Sequence, residues 1–134
     1  MNRKEFIEQA AKAARRAYQF SQKRRMQGLD GLGDDIDADA LKRGCIFEFG
    51  IRIAFEGADS EHIDGILTGM ISREKDETAR RLKTIQKEAV ICIQKSFNSF
   101  EMFNVLFSYV NDDEKKEIKG LLEEDAFKNY FNFY

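Results

Sequence analysis

Not one of the 134 residues is proline. Proline stops helices because it lacks the backbone N–H and its ring clashes with the preceding turn. A chain without it has no forced breaks, so glycines and capping residues alone must mark where helices end. Alanine, glutamate, lysine and glutamine, all good helix formers, are plentiful. The fold class this predicts is all-α, a single-domain bundle of about five to six helices over residues 1–134.

The boundaries follow from caps and apolar spacing. Asn2 with Glu5 reads as a capping-box start, and Phe6, Ala10, Ala13, Ala17 and Phe20 recur at helical spacing behind it. The first helix is expected over about 3–27, ended by Gly28. Residues 28–39 read as a connection rich in glycine and aspartate, anchored by Leu29, Leu32 and Ile36. The stretch "CIFEFGIRIAFEG" alternates like a strand, with Phe47, Phe49, Ile51, Ile53 and Phe55 on one side. No other segment alternates this way, so a strand would have no partner. Gly57 stands where a helix C-cap glycine belongs. A helix over about 40–56 is therefore expected.

Asp59 caps the next helix, which carries Ile63, Ile66, Leu67, Met70 and Ile71. In "REKDETARRLKTIQKEAVICIQK" the pairs Asp76–Arg80 and Glu77–Arg81 stand acid-first at i,i+4 and predict a solvated helix face. Asn98 with Glu101 and Asn111 with Glu114 mark two more starts, giving helices near 99–110 and 112–124. A last short helix is expected from Asp125 through "FKNYFNFY". "DSEHIDGILTGMI" and "NSFEMFNVLFSYV" share a cap and apolar steps 39 residues apart, a pattern that suits a helical repeat.

Charge is divided along the chain. Residues 1–27 hold eight bases against Glu5 and Glu8, whereas residues 28–39 hold Asp30, Asp34, Asp35, Asp37 and Asp39 with no base. This polarity favours a charged protein partner. A nucleic acid or a membrane surface is disfavoured as partner of the first helix, because its bases spread around the helix. No apolar run approaches the roughly 18 residues of a membrane span, and the polar start lacks a signal-peptide core, which implies a cytoplasmic protein. Cys45 and Cys92 stand far apart without a CxxC pattern, and two buried reduced thiols are expected.

Candidate chemistry is sparse. "DIDADA" places Ala40 and Ile46 where a calcium loop needs glycine and glutamate. Gly28, Gly31 and Gly33 follow a helix and sit among aspartates, which rules against a phosphate loop. His62 has acids nearby but no second histidine, and reads as a surface or capping residue. We expect no catalytic residues, no metal and no cofactor. The aromatic end, with Phe127, Tyr130, Phe131, Phe133 and Tyr134 in eight residues, supports an alternative reading as a scaffold that forms homo-oligomers.

One resemblance covers about Ala14 to Glu77. "RRMQGLDGLGDDID" resembles a pattern of basic residue, glycine-leucine, leucine and acidic run from the cytoplasmic region of the flagellar stator protein MotA. "LKRGCIFEFGIRIAFEGADSEHIDGILTGMI" resembles the block that follows it in that family. Residues 78–134 would then be additional helices with the aromatic tail. "NVLFSYVNDDEKKEIKGLLEED" is more distantly similar to the helical repeats of FliG, the rotor switch protein.

The resemblance implies a surface that contacts charged residues of the rotor switch or of the stator. The family's basic contact, three residues before the glycine, falls on Arg25, with Arg24 beside it. The family's acidic contact, five after the glycine, falls on Gly33, and Asp34 is the adjacent acid. Arg24, Arg25, Asp30, Asp34 and Asp35 are thus the candidate partner-binding residues. Ion conduction is not implied, because the chain has no membrane-spanning segment.

Overall fold

The computed structural model describes residues 1–123, so the expected last helix and the aromatic tail lie outside the described residues. Asn2 opens the first helix. Its side-chain oxygen accepts from the Glu5 N–H at 2.8 Å, and its amide donates to the Glu5 carboxylate at 2.9 Å. Helix α1 then runs Arg3–Gln27 and is followed by a 3₁₀ helix, Leu29–Asp35. Five more helices are α2 (Ala38–Lys42), α3 (Ile46–Phe55), α4 (Ser60–Ile71), α5 (Glu77–Gln94) and α6 (Ser99–Phe107), and α7 (Asp112–Glu123) completes the set. No strand occurs among the described residues, and the alternating segment is helical.

The helix expected over 40–56 is two helices. Gly44 adopts φ +73°, Gly44 N–H bonds to Leu41 O at 3.0 Å and Cys45 N–H reaches Ala40 O at 3.1 Å. That is a left-handed C-terminal cap, and it stops α2 before α3 begins. Gly57 closes α3 the same way, with φ +98° and Ala58 N–H bonded to Ile53 O at 3.0 Å. The stretch read as a plain connection is also more ordered than expected. Asp37 accepts from the N–H groups of Asp39 and Ala40 at 3.0 and 3.2 Å, and so starts α2.

α5 lies at the centre, packed by α1, α3, α4 and α6, while α1 also packs along α7 and the 3₁₀ helix. Phe6, Phe103, Ile51, Ile63, Leu67 and Ile118 are fully buried between them. The echo between α4 and α6 is a shared cap and stripe. Asp59 accepts from His62 N–H at 2.9 Å, Asn98 accepts from Glu101 N–H at 2.8 Å, and Ile63, Leu67, Met102 and Leu106 are all buried. Their surroundings differ, since α4 packs on α3 and α5 but α6 packs on α5 and α1.

Two arginines turn inward. Arg16 of α1 pairs with the buried Glu48 of α3, its guanidinium 4.7 Å from the Phe47 ring centroid and 5.4 Å from that of Phe20. Arg81 of α5 makes a two-pronged pair with Glu114 of α7 at 2.6 and 2.7 Å. It also lies 4.0 Å over the Phe6 ring and donates to Tyr109 O at 3.3 Å. The solvated pairs expected along α5 do not form. Asp76 instead caps α5, accepting from Thr78 and Ala79 N–H at 2.9 and 3.2 Å, and Arg80 donates to the Glu74 carbonyl. For Arg81 a buried acceptor on another helix outcompetes an exposed neighbour on the same one, where such pairs contribute only about 0.2–0.5 kcal/mol. Cys92 is buried, and desolvation pushes its thiol up to about 12. Cys45 is only half-buried, because it sits at the break before α3.

Candidate functional site

α1 ends where the Gly28 N–H caps the Arg24 carbonyl at 2.9 Å, with Gly28 at φ +71°. The chain turns there and winds into the 3₁₀ helix, which the fully buried Leu32 pins to the core. Leu29 and Ile36 pack against the core on either side. The positive end of α1 and the aspartates of the following turn are thereby held as neighbours on a fixed support.

The five candidate residues divide. Arg25, Asp30 and Asp34 are exposed and have no ion-pair partner among the described residues. Asp35 pairs with Lys23 of α1, so its charge is engaged within the chain. Arg24 is half-buried, and its Nε is buried without a hydrogen-bond partner. Sequence reasoning missed Met26, which is 80% exposed beside Arg25. Its spacing from Phe20 places it off the apolar stripe of α1, and that was the available signal. An exposed methionine between opposite charges is a polarizable apolar contact set in a polar rim.

Gly33, between Leu32 and Asp34, has no room for a side chain. A Cβ built there would lie 2.9 Å from Cε2 and Cζ of the Phe55 ring. A side chain at 33 must displace that ring, so Gly33→Asp is expected to destabilise the fold by about 1–3 kcal/mol. Urea denaturation with an unchanged slope and a lowered midpoint is the result to look for.

His62 lies exposed in the first turn of α4 with its Nδ1 2.8 Å from Asp59 Oδ1. The imidazole and the backbone N–H of His62 share that one carboxylate, and they hold Asp59 below the usual aspartate range. Asp59 is the capping residue of this helix start. Among the described residues no helix is long and apolar enough to cross a membrane, and no group of three or more metal-binding side chains converges. The class of protein defined is thus an all-α bundle with a charge-polarised helix end. No family model matches the chain, and no curated protein or solved structure matches it either.

Proposed function

We propose that the chain is a non-catalytic, cytoplasmic protein–protein interaction module of the flagellar motor, contacting a rotor switch or stator component through the end of α1 and the turn after it. The observation that carries this reading is the exposure of Arg25 beside Asp30 and Asp34, three charges unpaired within the described residues, on a turn that Leu32 holds rigid. Such an arrangement offers a partner one positive and two negative contacts. Complementary charges of this kind set orientation and association rate more than affinity. Arg24 and Asp35 act as supports, the first at the helix end and the second through Lys23. Asp34 takes the acidic role that Gly33 leaves vacant in the stator-like pattern.

Binding of the full chain to rotor switch and stator fragments tests the reading. Arg25→Glu is expected to slow association with the cognate fragment about tenfold at low salt. Raising the salt should slow the wild type toward the rate of the variant, since exposed charges are screened within about 10 Å at 0.1 M. If the wild type binds neither fragment at low salt, the motor assignment is wrong.

A further inference from the structure

A cleft of about 250 Å³ opens between α1, α2, α3 and α5, away from the end of α1. Three cations line it from two parts of the chain: Lys12 and Arg16 on α1, and Arg43 on the turn after α2. Two carboxylates line it as well, and both are already engaged. Glu48 holds Arg16. Asp37 accepts from the Ala40 and Asp39 N–H groups, bonds that keep it ionised below the usual aspartate range. Arg43 and Arg16 also act on Asp37 through space, but neither Lys12 nor Arg43 forms a direct ion pair among the described residues, and the three cations outnumber the two carboxylates.

The other walls suit the same sign. Gln9 of α1 and Gln86 of α5 also line it, and each carries an amide that can donate. The first turn of α3 contributes Phe47 and Glu48 to the wall, and no side chain caps that helix start. Its free N–H groups add to a positive field set by the side chains. The volume is below the 300–1,000 Å³ or so of most organic ligand pockets, and it suits a single compact group. A metal cation would be repelled, and an apolar ligand would leave the cations and amides unpartnered.

We propose that this cleft binds a small tetrahedral oxyanion of the phosphate class, free or as the phosphoryl end of a monoester, with Lys12 and Arg43 as its charged contacts. The proposal does not rest on the motor reading, because none of the residues Arg25, Asp30 and Asp34 lines the cleft.

Titration of the full chain with inorganic phosphate, and separately with methyl phosphate, at constant ionic strength and followed by amide NMR shifts, is the test. Saturable shifts confined to residues 9–16 and 43–48 and to Gln86 are expected with at least one of the two. Response to both ligands identifies a monoester site, and response to inorganic phosphate alone identifies a free-anion site. Arg43→Ala should weaken binding about tenfold, the loss of one charge-assisted contact. Arg43→Lys should recover part of it, and Lys75→Ala, an exposed lysine that does not line the cleft, should change nothing. Arg43 is exposed at the end of α2, so these variants keep the fold. Absence of saturation with both ligands, or equal weakening by Arg43→Ala and Lys75→Ala, overturns the assignment.

Discussion

Arg81→Ala is expected to lower the stability of the folded chain by about 3–5 kcal/mol. The guanidinium lies over Phe6 of α1, grips both oxygens of Glu114 on α7 and caps the Tyr109 carbonyl. Glu114 is 5% exposed, so removal of the arginine leaves a carboxylate shut away from water without its counter-charge. The Asn111 N–H, at 2.9 Å, is then its remaining hydrogen bond, with a weaker through-space attraction from Arg3. Arg81→Met with Glu114→Leu should recover most of the loss, because an apolar pair of similar volume removes the stranded charge. Chemical denaturation of the three proteins measures both effects. A loss below about 1 kcal/mol for Arg81→Ala would put the pair among ordinary surface ion pairs.

The same pair sets an acid response. The hydrogen bonds from Arg81, and the Asn111 N–H after them, hold Glu114 below its ordinary value of 4.5. A carboxyl depressed in the folded state stabilises the fold above its unfolded value and loses that contribution as pH falls through its folded value. Asp37, Asp59, Glu74 and Asp76 are depressed as well, and all act with the same sign. Stability should therefore be level with respect to these groups above about pH 5 and fall below it. In Arg81→Met with Glu114→Leu the fall should be shallower, which isolates the share of Glu114.

Gly50→Val is expected to cost about 3 kcal/mol or more. A Cβ at this position of α3 would meet Val90 Cγ2 at 2.8 Å, Leu67 Cδ1 at 2.9 Å and Val90 Cγ1 at 3.0 Å. Leu67 has rotamers to give, but Val90 is fully buried and β-branched, and so cannot swing aside within α5. In an open helix the sign is opposite, since alanine is favoured over glycine by about 1 kcal/mol. Gly65 of α4 is the control. Nothing lies within 4 Å of a Cβ built there, and Gly65→Ala should raise stability by about that amount. Thermal or urea unfolding of Gly50→Ala, Gly50→Val and Gly65→Ala side by side decides whether contact or propensity governs each site.

The elements legible in the sequence were those announced by their own ends. Asn2, Asp59, Asn98 and Asn111 each offer a short acceptor to the amide three residues on, a local signal that tertiary contacts left intact. The break at Gly44 was hidden because apolar spacing continues through it from Leu41 to Ile46 and Phe47. Arg16 was not singled out among the bases of the first helix, and Arg81 was read as solvent-facing because pattern reading assigns charge to the outside. Their buried partners lie 32 and 33 residues away, on helices whose placement no local pattern carries. At the candidate surface, the end of α1 and the aspartate-rich turn could be read directly. The engagement of Asp35 by Lys23 and the exposure of Met26 could not, since each depends on how the turn folds back.

The packing of α1 against α7 bears on how the chain comes into being. Synthesis runs from the N-terminus, so Phe6 and its alanine stripe leave the ribosome more than a hundred residues ahead of Ile118. At roughly 5–20 residues per second that interval is on the order of ten seconds, far longer than helix formation or collapse of a small chain. During it α1 can dock on α5 as soon as α5 emerges, yet Phe6 and Arg81 still await the helix that brings Glu114. The last of the described helices thus closes the first one. Until it arrives the nascent bundle carries an unsheltered aromatic ring and an unmatched positive charge side by side, the point at which it is most open to a chaperone or to another unfinished copy of itself.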